Sequence, residues 1–281
     1  MPDTVTGGPV TGTPGPDTGG SSWRDTRPGP GGQVPAAVGG ELSGATLLDA
    51  YRLGVFCQPT EDPEQIMVNR QIYAPDVASG EIPTLPGGAD PYGVLWWSPS
   101  QRSLLPVDGF RLGRRGAKHH RQNPGFVSTF DSAFDEVVER CREGRETLWL
   151  TDPLVSGLRS LHREGAVHSL EIRAGEKLVA GLVGYAFPRV FVVDTAFQCE
   201  PHCLKALYLD LVLRAREAGI EFIDLQVDAE HKRRLGATLH ERDLYLRLLA
   251  GDRRAATALN AAPRSLARNL REYSATTEDK S

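Results

Sequence analysis

The sequence predicts an α+β fold, a small N-terminal domain ahead of a larger one, on three observations. Runs at His168 to Arg173, Lys177 to Tyr185 and Arg189 to Phe197 read as strands, the first two joined by a turn at Ala174-Gly175-Glu176, so they form an antiparallel meander. From about His202 to Ala218, the residues Leu204, Leu207, Tyr208, Leu211, Val212 and Ala215 share one helical face, Gly219 stops the helix, and Ile220 to Val227 make a further strand. Strand, helix and strand at this spacing suggest a βαβ unit. Two helical patterns precede the meander: Phe134, Val137, Val138 and Cys141 form one stripe, and Leu154, Leu158 and Leu161 form another behind Asp152-Pro153. A meander joined to a crossover, with two helices ahead, is the layout of the N-acetyltransferase-like (GNAT-like) fold.

The remaining elements follow in chain order. Residues 1–35 are rich in Gly, Pro, Thr and Asp with almost no apolar periodicity, which predicts a disordered tail. A small N-terminal domain then spans 36–112. Within it Ser43 caps a short helix bearing Leu47, Leu48 and Tyr51, and Gly54 ends that helix. The polar stretch 59–93, with its prolines and glycines, reads as a long surface insertion. The larger domain spans 113–273, its first helix opening at Asp131 or Ser132 and ending near Gly144, its second ending near Gly165; a tail, 274–281, closes the chain.

Composition bounds the function. With 281 residues and 40% apolar content the chain can bury a real core. Its longest apolar runs fall far short of the roughly 20 residues that cross a bilayer. The start Met-Pro-Asp has neither a basic n-region nor an apolar h-region, so a cytoplasmic protein is expected. Cys57, Cys141, Cys199 and Cys203 are too few and scattered for a disulfide framework. Cys199, His202 and Cys203 cluster, but no second Cys/His pair stands at zinc-finger spacing, so no metal site is expected. A net charge of −4 argues against indiscriminate nucleic-acid binding and confines any such contact to local patches.

Several segments, taken together in order and spacing, resemble the leucyl/phenylalanyl-tRNA–protein transferases. They are Gly39-Gly40-Glu41-Leu42-Ser43, Tyr51-Arg52-Leu53-Gly54-Val55-Phe56, Leu95-Trp96-Trp97-Ser98-Pro99-Ser100-Gln101-Arg102, Trp149-Leu150-Thr151, His168-Ser169-Leu170-Glu171-Ile172, Ile223-Asp224-Leu225-Gln226-Val227 and Leu235-Gly236-Ala237. The resemblance runs from about Val38 to the helix beginning near Arg242. It implies a small N-terminal domain joined to a GNAT-like domain. It also implies an enzyme that moves leucine or phenylalanine from tRNA onto proteins beginning with arginine or lysine, marking them for degradation. That chemistry needs no metal or coenzyme: the ester donor is already activated, so the protein supplies positioning, an uncharged amine and oxyanion stabilisation.

The resemblance places its catalytic pair at Asp224 and Gln226. Two apart on a strand, they would share a face and converge on one substrate group, the carboxylate orienting or deprotonating the amine, the amide serving the reacting centre. Asp194 falls where the family carries a glutamate near the substrate amino groups, one methylene shorter and preceded by Val193 in place of glycine. Leu182, Phe191 and Ala196 match positions lining the donor side-chain pocket, with Trp149, Trp96 and Trp97 nearby. Aromatic walls suit a leucine or phenylalanine side chain and the terminal adenine of tRNA. The family has methionine at the positions of Leu182 and Ala196, so Ala196 leaves room that could alter the donor, methionine included. Arg111, Arg114, Arg115, Lys118, His119, His120 and Arg121 match a basic stretch that meets the tRNA acceptor stem. The partners expected are aminoacyl-tRNA and a polypeptide with a basic N-terminus, for a monomeric enzyme away from membranes.

Three alternatives stay open. A coenzyme-A-dependent acetyltransferase could share the fold, although the turn Gln198-Cys199-Glu200-Pro201-His202 has no glycine to cradle a pyrophosphate. An aminoacyl-tRNA-dependent ligase serving a small-molecule amine would fit the insertion, Asp194 and Ala196. A tRNA-binding protein without catalysis is the third. The family's Pro-Trp-Phe after the Gly-x-Phe segment is replaced here by Cys57-Gln58-Pro59, and the glycines flanking its pocket are partly replaced, as at Phe187-Pro188-Arg189.

Overall fold

A computed structural model describes residues 20–122, 125–143, 149–250 and 259–278, which build two mixed sheets and the helices around them. The smaller sheet runs β2 (Phe56–Pro59), β4 (Val94–Trp97), β1 (Ala37–Gly39), β3 (Thr84–Leu85). The larger runs β11 (Thr238–Glu241), β5 (Gln101–Pro106), β10 (Phe222–Asp224), β9 (Val190–Gln198), β8 (Lys177–Ala186), β7 (Val167–Ala174), β6 (Phe126–Phe130), β12 (Arg264–Ser265). The helices are α1 (Gly44–Arg52), α2 (Pro63–Ser79), α3 (Gly113–Gln122), α4 (Phe134–Arg142), α5 (Asp152–Arg163), α6 (Cys203–Ala218), α7 (Glu230–Arg233), α8 (Arg242–Leu249) and α9 (Leu266–Glu278).

The meander is β7, β8 and β9, and the crossover through α6 lays β10 parallel to β9. Alternation along β9 divides its side chains. Val190 and Val192 enter a core shared with α1, α4, α5, α8 and the smaller sheet, whereas Phe191 and Val193 enter a second core under α6 and α9. The two sheets meet in the first core, where Trp96, Cys57 and Phe56 join Tyr51, Tyr185 and Tyr245. Local signals place the helices as expected: the Ser43 hydroxyl accepts the Thr46 N–H at 3.2 Å, and Gly219 closes α6 in the left-handed region.

Four expectations need correction. Residues 1–19 lie outside the described residues, but 20–35 are not a loose tail. Trp23 is buried with its ring edge-on to Trp96 at 5.4 Å, and the Ser22 amide donates to Thr46 at 3.0 Å, so one aromatic anchor holds the strap down. The insertion contains the 17-residue helix α2, capped by Asp62 on the Glu64 N–H with Pro63 as its first residue. Its apolar signal is weak because Met67, Val68 and Ile72 are exposed, while Tyr73 and Val77 pack inward, onto Val38, Ile82 and Leu95. Residues 274–278 of the expected tail continue α9, while Gly144 and 279–281 lie outside the described residues. The strand expected over Ile220 to Val227 stops at Asp224, for a reason that belongs to the site. No helix among the described residues is long and apolar enough to cross a membrane.

Candidate active site

The parallel strands β9 and β10 part after the pair Asp224 and Val192, and the chain there turns rather than continuing extended. Asp224 causes the turn: its Oδ1 accepts the Gln226 N–H at 2.6 Å, an Asx turn, and Gln226 takes a left-handed conformation with φ of 63°. For a residue other than glycine that conformation costs on the order of 1 kcal/mol and persists only where surroundings enforce it. Here they do. Ser103 on β5 exchanges backbone hydrogen bonds with both neighbours of the turn, to Gln226 O and from Leu225 N, each at 2.9 Å. Lys232 Nζ donates to Leu225 O at 2.7 Å and Val227 O at 2.8 Å. Burial lowers the pKa of that ammonium, while the carboxylates of Asp224 and Asp228 oppose the fall.

The expected convergence of Asp224 and Gln226 on one substrate group therefore does not occur, because the strand ends between them. Asp224 is fully buried and paired through Oδ2 with Arg102, itself 1% exposed. The Arg102 guanidinium lies 5.2 Å from the Phe56 ring centroid and 4.5 Å from that of Tyr245, whose hydroxyl it also meets at 3.3 Å. Burial works to lower the Arg102 pKa, but Asp224, joined by Tyr245 and Tyr51, outweighs it and holds the cation above its usual range. This is a positioning pair. Gln226 alone faces the cavity, its Nε2 donating to Val193 O at 3.2 Å across the parting strands.

Asp194 reaches the same cavity by a different device. Val183 pairs with Thr195 and Gly184 with Val193, which leaves Asp194 as the extra residue of a β-bulge. Bulges bend a strand and re-aim a side chain, and this one turns Asp194 toward Tyr51, whose hydroxyl donates to Oδ1. Gly184 is required opposite, since a Cβ there would lie 2.3 Å from Val192 O. Tyr51 stacks on Tyr185 with centroids 3.7 Å apart, and Cys57 is buried beside them. Burial, then the Asp194 carboxylate, pushes the pKa of all three well up, so they stay protonated.

Asp194, Gln226 and Trp149 thus border one open cavity of about 650 Å³, with Phe56, Cys57, Gln58, Pro59 and Thr60 along another side and Leu95, Gln65 and Asn69 completing it. The other expected site residues are elsewhere. Trp96 is buried in the first core with its indole N–H on Gly39 O at 2.7 Å, and half-buried Trp97 sits edge-on to Tyr73 of α2 at 6.3 Å. Leu182 and Phe191 are fully buried in the second core, and half-buried Ala196 packs against it, so none of the three walls this cavity. The alternation that sends Val192 toward the cavity side sends Phe191 the other way. Arg114, Arg115, Lys118 and Arg121 are all exposed on α3, a helix without an acid, where Arg114, Lys118 and Arg121 fall on one stripe. Sequence reading missed Tyr51, Arg102, Gln65 and Asn69. Tyr51 and Arg102 lay inside segments already singled out, but nothing in those segments says that they would meet Asp194 and Asp224.

Comparison with known proteins identifies the family. The family model described as leucyl/phenylalanyl-tRNA protein transferase matches residues 104–250, which carry Trp149, Asp194, Asp224 and Gln226. A relative of that name from Hydrogenovibrio crunogenus is 30% identical over 217 residues, covering 76% of this chain and 73% of its own. The chain belongs to the leucyl/phenylalanyl-tRNA–protein transferase family. The family members from Proteus mirabilis, 31% identical over 76% of this chain and 80% of their own, and Thiobacillus denitrificans, 33% over 72% and 76%, agree in extent. Among solved structures, that of FemX overlaps 51% of this chain and 60% of its own at 12% identity and a TM-score of 0.37.

Proposed function

We propose that this family member is an aminoacyltransferase that forms a peptide bond, moving leucine or phenylalanine, with methionine as a further candidate, from tRNA to the α-amine of polypeptides beginning with arginine or lysine. The observation that carries this reading is the amide of Gln226, held by an enforced turn at the parting of two parallel strands and facing the same cavity as Asp194. The acceptor amine attacks the ester carbonyl, the carbonyl oxygen becomes an oxyanion, and collapse expels the tRNA 3′ oxygen, which takes up a proton. Gln226 Nε2 is the donor available to the oxyanion, a role worth on the order of 10²–10³ in rate where a single such donor has been removed. Asp194, with Tyr51 on one oxygen, orients the amine and receives its proton. Asp224, paired with Arg102 beneath the turn, never meets substrate.

Phe56, Leu95 and Trp149 offer the donor side chain an apolar wall, and the cationic face of α3 suits the phosphates of an acceptor stem. We read the meander and crossover as GNAT-like, 36–112 as a small domain that lends β5 to the larger sheet, 113–273 as the transferase domain, and the cytoplasm as the setting. We read the enzyme as a monomer. The test is mass spectrometry of an arginine-starting peptide incubated with leucyl-, phenylalanyl- and methionyl-tRNA. Addition of one residue to its N-terminus is expected. Absence of product with every charged tRNA, alongside transfer to a small amine, would replace the polypeptide acceptor with a small molecule; acetylation of the peptide from acetyl-coenzyme A would replace the donor.

A further inference from the structure

The strand β2 borders the cavity in an unusual way. Successive side chains of a strand point to opposite faces, so a cavity beside one face meets every second residue. Here Phe56, Cys57, Gln58 and Pro59 all line it in sequence, which means that the cavity meets the strand's edge. The edge is open: β2 ends the four-stranded sheet and pairs only with β4 among the described residues. The register states which groups it presents. Thr60 N–H donates to Gly93 O at 2.8 Å, and Gln58 pairs with Leu95 and Phe56 with Trp97, so these residues turn their backbone groups inward to β4. In an antiparallel ladder the alternate residues turn theirs outward. Cys57 N–H, Cys57 C=O and Pro59 C=O therefore face the cavity.

We propose that the acceptor polypeptide binds by adding its first residues as an extended strand to this edge, its backbone pairing with Cys57 and its α-amine reaching Asp194 and Gln226. The inference rests on the polypeptide-acceptor reading above and goes beyond it by naming how the polypeptide is held. A donor and an acceptor on one outward-facing residue complement a single residue of extended peptide, which offers one of each, and a simple amine does not. Pro59 lacks an N–H, so the ladder is short: no more than three hydrogen bonds form, and acceptor residues past the third or fourth gain nothing from the edge. Opposite it, Gln65 and Asn69 bring α2 to the cavity wall, Gln65 donating to Asn69 at 2.9 Å and Asn69 to Tyr92 O at 3.0 Å. The helix inside the insertion thus covers the bound strand.

The test is an acceptor series starting with arginine in which one amide at a time, at residues two, three and four, is N-methylated or replaced by an ester. Both changes remove a donor, and the ester does so without a methyl group. An acceptor residue aimed at Cys57 has neighbours aimed away, so the effect should alternate along the peptide. The sensitive position should raise KM about five- to tenfold, as for one lost hydrogen bond, with kcat within twofold, and the adjacent position should be silent. Equal KM for every modified peptide, or for arginine amide and the parent peptide, would overturn the strand-addition proposal while leaving the transfer reaction intact. No transfer to any peptide would overturn both.

Discussion

Replacing Asp224 by asparagine separates positioning from chemistry. The change keeps the shape of the side chain but leaves Arg102, 1% exposed, without its counter-charge between two aromatic rings. Breaking one side of a buried ion pair costs about 3–5 kcal/mol, which at roughly 2–4 °C per kcal/mol lowers the melting temperature by about 10 °C. Asparagine has one acceptor oxygen where the carboxylate serves two donors, Arg102 and the Gln226 N–H at 2.6 Å; with that oxygen on the buried cation, its NH2 faces the Gln226 N–H, so the strained turn relaxes and the Gln226 amide leaves its place. Displacement of about 1 Å at a reacting centre costs on the order of 10²-fold in rate. The assay is urea denaturation beside single-turnover transfer, repeated for the double variant with Arg102→Met and Asp224→Leu. Apolar replacement of both partners should restore most of the stability, because the orphaned cation is gone. It should not restore turnover, because nothing then accepts the Gln226 N–H. A stable and fully active Asp224→Asn protein, or recovery of activity in the double variant, would refute the reasoning.

Arg114 and Arg115 replaced together by alanine should weaken tRNA binding and reduce the slope of log K against log[salt] by about two units; an unchanged slope would remove α3 from the interface. Trp23→Ala should cost about 3 kcal/mol in urea denaturation, as for a buried tryptophan, and a loss under about 0.5 kcal/mol would show that the N-terminal strap is not docked. Tyr51, Tyr185 and Tyr245 have pKa values well above the ordinary 10, and Tyr208 is pushed up to about 12, with burial the first cause in each case. The folded chain keeps these protons while the unfolded chain gives them up near pH 10. Stability is therefore whole below pH 10 and falls above it by about 1.4 kcal/mol per pH unit for each tyrosine, the Tyr208 share ending near pH 12. Flat stability between pH 10 and 11 would contradict the burial of these hydroxyls.

Much of the scaffold was legible because it repeats a local rule. The stripe on α6, the Ser43 cap and the turn after Ala174 each fix an element from a few neighbouring residues. The candidate site was legible only in part, since Asp224, Trp96, Trp97, Leu182, Phe191 and Ala196 do not border the cavity. Gln226, Asp194 and Trp149 do meet, but by devices that alternation cannot foresee: a carboxylate that ends its own strand and a one-residue bulge in β9. Leu182 and Phe191 went to the opposite face because the resemblance marks positions and not the face each takes. Helix α2 stayed hidden because Met67, Val68 and Ile72 are exposed on it, so its apolar residues do not form one buried stripe. Arg102 and Tyr51 needed the fold, since each meets its partner more than 100 residues away.

The most direct test is single-turnover transfer by Gln226→Ala, with leucyl-tRNA saturating and an arginine-starting peptide as acceptor, followed by mass spectrometry. The side chain contributes one hydrogen bond at 3.2 Å to the fold, so the variant should stay folded and bind tRNA within about twofold of the parent. Its transfer rate should fall by about 10²-fold or more. A variant that binds tRNA normally and transfers leucine at the parent rate would contradict the placement of the reaction centre at Gln226.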